Sequence, residues 1–207
     1  MTQNLAEKLL APETLDADPL KQFADWFAEV EQADLPMPNA MTLATANRAG
    51  KPSARMVLLK EVDARGFVLY TNYESRKAQE IEENSCAALV FYWQPLARQV
   101  RIEGRVEVVD TAASERYFAS RPRGHQIEAH ASAQSRVIQD RAFLEQRFLE
   151  VTEQFAGQAV PRPANWGGYR VVPDTVEFWQ EGENRLHDRL RYRRDAGGRW
   201  VIERLAP

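Results

Sequence analysis

Between residues 40 and 109 the chain offers one short β-prone run after another, cut by turn residues, and this rhythm limits its fold more than any other feature. The runs fall at 40–46, 53–60, 66–71, 86–93 and 98–109, with turns at 47–51 and 63–66. The last is the clearest. Val100, Ile102, Val106 and Val108 alternate with Arg101, Glu103, Arg105 and Glu107, which predicts one buried face and one that is wet or covered by a partner. The run CAALVFYW at 86–93 has eight apolar residues, against about 20 for a membrane-spanning helix, and reads as a buried strand. Further strands are expected at 168–172, 175–180 and 189–194, with 200–204 returning after the Gly197-Gly198 turn. Consecutive hairpins with few crossover helices predict a mainly β, α+β chain whose sheet is an antiparallel barrel.

Helices flank these strands. Asp18 can cap a helix that starts at Pro19 and carries Leu20, Phe23, Phe27 and Val30 on one stripe to about residue 31. Short helices are expected at 75–83 and 111–120. A longer one at 140–155 would bury Leu144, Phe148, Val151 and Phe155. Residues 1–17 show no strong period and read as a mobile or loosely docked arm, leaving 18–207 as a single domain.

Composition narrows the function. The net charge is −3, from 27 basic and 30 acidic residues, which argues against nucleic acid as the main partner. Residues 185–204 nevertheless hold seven arginines against three acids, a cluster suited to a small anion. A single cysteine and a start without a basic-then-apolar leader make a reducing cytoplasm the expected compartment. No glycine-rich nucleotide motif and no zinc spacing occurs, so metal is not expected.

Four segments concentrate cations. In Arg55-Met56-Val57-Leu58-Leu59-Lys60, period two places Arg55, Val57 and Leu59 on one face and Met56, Leu58 and Lys60 on the other; taken alone, it reads better as a buried strand with charged ends. Tyr70-Thr71 runs toward a helix start bearing Arg76 and Lys77. The helix dipole disfavours cations there, so either an anion offsets the pair or it is simply solvated. Tyr117 and Arg121 stand four apart on an expected helical face, where they could share one phosphate; arginines near a helix C-terminus also need no ligand. Arg185, His187 and Arg189 project to one side if the chain is extended, close after Trp179. Gln99, Gln134 and Ser135 are polar residues that no physical argument from sequence selects.

Together, R-M-V-L-L-K at 55–60, Y-T-N at 70–72, S-R-K at 75–77, R-Q-V at 98–100, Y-F-x-S-R-P-R at 117–123, Q-S at 134–135, W-G-G-Y-R at 166–170, E-F-W-Q at 177–180, R-L-H-D-R at 185–189 and the terminal E-R-L-A-P resemble the pyridoxamine 5'-phosphate oxidase family. The resemblance runs in order from about residue 18 to the end. It implies a Greek-key-like, FMN-binding split β-barrel acting as a homodimer, with flavin at the interface. It also implies oxidation of pyridoxamine or pyridoxine 5'-phosphate to pyridoxal 5'-phosphate, with O2 reduced to H2O2. Carried over by position, FMN would be held by Arg55, Met56, Val57, Leu58, Leu59, Lys60, Tyr70, Thr71, Arg76, Lys77, Gln99, Gln134, Ser135, Trp179 and Arg189. Substrate would be held by Lys60, Tyr117, Arg121, Arg185 and His187, of which Arg185 and His187 are the catalytic candidates. Where the family usually carries a substrate-phosphate serine this chain has His125, an imidazole that donates more strongly once protonated. A flavin carrier or sensor without oxidase activity is the alternative, and the intact Y-F-x-S-R-P-R and R-L-H-D-R segments favour the enzyme.

Overall fold

The computed structural model describes residues 10–207. Helix α1 (Pro19–Gln32) starts as expected, with the Asp18 carboxylate accepting from the Leu20 N–H at 2.9 Å and Pro19 in the first turn. Phe23 and Val30 of the stripe lose all solvent contact and Leu20 and Phe27 are partly buried, while Trp26, outside the expected stripe, is buried with them.

Nine strands form one antiparallel sheet among the described residues: β1 (Ala40–Ala46), β2 (Pro52–Leu58), β3 (Glu61–Asp63), β4 (Gly66–Asn72), β5 (Cys86–Trp93), β6 (Arg98–Val108), β7 (Trp166–Gln180), β8 (Asp188–Arg194) and β9 (Trp200–Arg204). Their order is β2-β1-β5-β6-β7-β4-β3, with β8 on β7 and β9 on β8. The sheet curls into a half-barrel around α1. The helices α2 (Arg76–Glu83), α3 (Thr111–Ser120), α4 (Arg123–Ala131) and α5 (Arg141–Gln154) flank it. None of the helices described is long and apolar enough to cross a membrane.

Two strands expected at 168–172 and 175–180 are one, β7, because its interruption at Pro173 is matched by a register shift at Glu103/Gly104 of β6. Gly104 packs against the Val172 carbonyl with no room for a Cβ, so only glycine lets the two strands stay paired through the bend. The bend forks the sheet: the first half of β7 pairs with β4 and the second half with β8.

Helix α4 was not among the expected helices; R-P-R, read as the end of the preceding helix, also opens this one, with Pro122 as its N-cap residue. The α5 face is only partly covered: Val151 is buried, whereas Leu144, expected inside, is exposed. Strand β5 is not buried on both sides. Ala87, Leu89, Phe91 and Trp93 enter the core, but Tyr92 stays 58% exposed. On β6, Val100 and Ile102 are buried as expected, while Val108 is 64% exposed, beyond Arg105, the last residue that β5 pairs, and with β7 on its other edge.

The main core joins Phe23, Trp26 and Val30 of α1 to Phe67, Phe91, Ile102, Phe178 and Tyr192 of the sheet. A second cluster, Phe118, Ile127, Val151, Val160 and Trp166, seats α3, α4 and α5 on the start of β7. Of the expected N-terminal arm, residues 1–9 lie outside the described region. From Leu10 the chain is docked: Leu10 is buried, its N–H donates to Asp188 Oδ2 at 3.0 Å, and Tyr192 Oη donates to the Asp16 carbonyl at 2.7 Å.

Candidate active site

Strand β4 ends at Asn72 and the chain re-enters a helix after Ser75, which brings the end of the strand beside the first turn of α2. Lys77 Nζ donates there to Thr71 Oγ1 at 3.1 Å and to Gln134 Oε1 at 2.7 Å, while Thr71 Oγ1 donates to the same Gln134 oxygen at 3.1 Å. Burial, and then the Arg55 charge, push the Lys77 ammonium down to about 8. Arg55 of β2 and Arg76 of α2 meet on one carboxylate, Glu80, with Arg55 Nη2 at 3.3 Å and Arg76 Nε at 2.9 Å. Thr45 and Ser53 hydroxyls donate to Glu80 Oε2, each at 2.5 Å. Burial would raise this carboxyl, but the bonds from Ser53, Thr45, Arg76 and Arg55 outweigh it and hold the group down to about 2. Arg76 thus has an anion within the chain, Glu80 one helical turn on, whereas Lys77 has no carboxylate partner among the described residues. The i, i+4 spacing in R-K-A-Q-E was the signal that could have found Glu80.

A second cationic corner lies where α3 and α4 meet β4. The Tyr70 and Tyr117 rings stack at 4.0 Å and 15°, and Trp166 continues the stack 5.6 Å from Tyr70. Lys60 Nζ sits 5.9 Å from the Tyr117 ring, and the Arg121 guanidinium lies over Trp166 at 4.6 Å. Arg121 is not on the helical face of Tyr117: α3 ends at Ser120, and Arg121 turns extended before Pro122. The two residues are neighbours through Trp166 instead. Arg121 Nη1 is buried without a hydrogen-bond partner, and its one carboxylate neighbour, Glu128, is 3.8 Å from Nη2. Burial pushes the guanidinium pKa down, against Glu128 and Tyr117. An unpaired buried donor costs about 1–3 kcal/mol, which an added anion would recover. His125 is exposed in the first turn of α4, and Ser135 is exposed with a φ of 71°.

A third group occupies the far end of β7. Gln99, Trp179 and Arg189 are direct partners across β6, β7 and β8. Arg189 reaches Glu177 with Nε at 2.8 Å and Nη2 at 3.2 Å, and donates from Nη1 to the Ala206 carbonyl at 2.9 Å. The chain from 185 to 189 is not extended throughout, which corrects the expectation that Arg185, His187 and Arg189 project together. A short 3-10 turn, Glu183–Arg185, precedes β8, with φ of 53° at Asn184 and 64° at Arg185. These are left-handed values that non-glycine residues adopt at a cost. Arg185 is exposed, whereas His187 folds back onto Trp179 with 4.8 Å between ring centroids, and its Nδ1 accepts from the Gly182 N–H at 3.2 Å. Gly182 has no room for a Cβ, which would strike the Leu186 carbonyl.

On β2, Val57 packs on the core and Leu59 just beyond the strand is buried, while Met56 is 64% exposed on the outer face, as the alternation predicted. The second and third groups stand apart. Tyr70 pairs with Gly168, and Trp179 lies eleven residues further along β7, past the bend at Pro173, a path of roughly 36 Å at about 3.3 Å per residue. Among the described residues no hydrogen bond, ion pair or ring contact joins them. The structure therefore assembles two cationic corners within the chain and leaves the Arg185–His187 group away from the second.

This curled antiparallel sheet and its flanking helices define the class, a split-barrel protein. A family model described as "Pyridoxamine 5'-phosphate oxidase" matches residues 27–155, and one described as "Pyridoxine 5'-phosphate oxidase C-terminal dimerisation region" matches 166–207. The chain belongs to the pyridoxamine 5'-phosphate oxidase family. It is 55% identical over 206 residues to a pyridoxine/pyridoxamine 5'-phosphate oxidase of Burkholderia thailandensis, covering 99% of this chain and 96% of that one. It is 54% identical to the protein of that name from Salinibacter ruber, covering 100% and 97%. Among solved structures, PhzG from Burkholderia lata, in complex with tetrahydrophenazine-1-carboxylic acid, superposes with a TM-score of 0.91 at 31% identity, over 98% of this chain and 100% of that one. A pyridoxamine 5'-phosphate oxidase-related, FMN-binding protein from Nostoc punctiforme shares the fold, with a TM-score of 0.73 at 16% identity, over 92% and 98%.

Proposed function

We propose that this protein is an FMN-dependent oxidase that converts pyridoxamine or pyridoxine 5'-phosphate to pyridoxal 5'-phosphate, with O2 reduced to H2O2. The observation that carries this reading is the gathering of scattered motif cations into two corners, Arg55 with Arg76 and Lys77, and Lys60 with Arg121 beside Tyr117. Two phosphate dianions each need charge-assisted donors, and two sets are present. The buried, partnerless Arg121 Nη1 and the depressed Lys77 are both groups that a bound phosphate would satisfy.

Arg76 and Lys77 would donate to the FMN phosphate and Arg55 would add its charge from behind them, with Thr71, Gln134 and Ser135 beside them and the 55–60 strand alongside. Bound FMN supplies the two-electron acceptor that O2 then reoxidises. Lys60, Tyr117 and Arg121 hold the substrate phosphate and thereby fix the distance of the reacting carbon. Because the Gly182 N–H donates into Nδ1, the neutral His187 ring carries its proton on Nε2 and presents a donor there. Arg185 adds a guanidinium that holds the pyridine ring.

The separation along β7 supports a homodimer in which Gln99, Trp179, Arg185, His187 and Arg189 of one copy complete the site of the other. The exposed Met56 and Tyr92 on the outer sheet face support the same arrangement. Purified protein given FMN and pyridoxine 5'-phosphate in air is expected to form peroxide and aldehyde in equal amounts. A yellow protein without product would instead be a flavin carrier.

A further inference from the structure

Glu80 is used by neither the sequence motifs nor the reaction, yet it is among the most heavily bonded side chains in the structure. Its side chain is 8% exposed and accepts from Thr45, Ser53, Arg55 and Arg76. These donors come from β1, β2 and α2, so one carboxylate ties together three elements around a corner. Arg55 has few alternatives. Its Nη1 is committed to the Leu43 carbonyl at 3.1 Å and Thr45 Oγ1 at 2.6 Å, and its Nη2 to Ser53 and Glu80. Arg76 differs. Its side chain is 58% exposed, and Glu80 takes its Nε, leaving the Nη1 and Nη2 fork free among the described residues.

We propose that Glu80 is the positioning residue of the flavin-phosphate corner, fixing Arg55 and aiming the free fork of Arg76 before the ligand arrives. This rests on the FMN reading given above. An arginine at the first position of a helix is disfavoured by the dipole and free to swing into solvent, and two guanidinium groups with an ammonium nearby repel one another. Glu80 answers both problems, so the ordering of two long side chains is complete in the apoprotein rather than charged against binding. Its negative charge opposes a phosphate directly. The placement of two guanidinium groups is the larger effect, because charge-assisted donors lose most of their strength when their geometry is not fixed.

The test compares FMN with riboflavin, which shares the ring system and lacks the phosphate. Each is titrated by fluorescence quenching into wild-type and Glu80→Gln apoprotein whose fold is checked by circular dichroism. Glu80→Gln is expected to weaken FMN by about tenfold or more while riboflavin changes by less than about threefold. Unchanged or tighter FMN binding overturns the proposal. Equal weakening of both flavins also overturns it, since that marks a general structural role. Should Glu80→Gln fail to fold, Ser53→Ala removes one donor to Glu80 and is expected to weaken FMN selectively by about threefold; an unchanged FMN-to-riboflavin ratio there overturns it equally. Wild-type protein that fails to bind FMN at all refutes the flavin reading instead.

Discussion

Burial and the Arg55 charge hold the Lys77 ammonium near 8 rather than 10.5, so between those two values the folded apoprotein binds fewer protons than the unfolded chain. Its stability therefore rises with pH across that window, and the cation needed for a phosphate fades over the same range. FMN affinity is expected to fall as pH climbs past about 8 in wild type, and Lys77→Met should bind FMN more weakly with that decline removed. Titrations at several pH values check both. The Glu80 carboxylate gives a slope of the same sign in a lower window. Its folded value of about 2 lies below 4.5, so its stabilisation is present above 4.5 and is lost as pH falls toward 2. Acid unfolding of Glu80→Gln should lack that limb, of order 3 kcal/mol in wild type. Single residues were unevenly legible in the sequence. Arg55, Arg76 and Lys77 stood out by charge. Gln134 did not, because its place beside Lys77 depends on the chain returning after α4, 57 residues later.

At the scale of elements, local signals worked where one rule decided the outcome. Asp18-Pro19 fixed the start of α1, and alternation fixed the buried positions Val100 and Ile102. They failed where a partner strand decided. Pro173 breaks a strand in isolation, yet β7 continues because β6 shifts register opposite it. The loop before β8 also escaped, since Asn184 tolerates a left-handed backbone but nothing local gives Arg185 one. That loop holds His187 through the Gly182 N–H, so Gly182→Ala, whose Cβ would displace the Leu186 backbone, is expected to lower turnover by at least about tenfold and the thermal midpoint with it, as steady-state rates and thermal melts would show. Arg185→Leu should likewise cost turnover and leave FMN bound, as steady-state rates and flavin content would show. Unchanged turnover would remove Arg185 from the mechanism.

For the whole molecule, half-barrel topology was readable from the succession of hairpins, whereas a site shared between two copies entered only as what the family resemblance implies. The proposed second copy would cover Tyr92 and Met56, which are exposed, and would bring its own Trp179 end of β7 to the Trp166 end of the first. Tyr92→Glu is expected to give monomers in sedimentation and to weaken FMN, since a charge opposite a like charge blocks a self-complementary contact. The most direct test combines two inactive variants, Arg121→Leu and Arg185→Leu, co-expressed with different tags and assayed as a mixture. If one copy supplies Arg121 and the other Arg185, half the dimers carry one intact site of two, and activity returns to about a quarter of wild type. A mixture no more active than its two parents would contradict a site shared between copies.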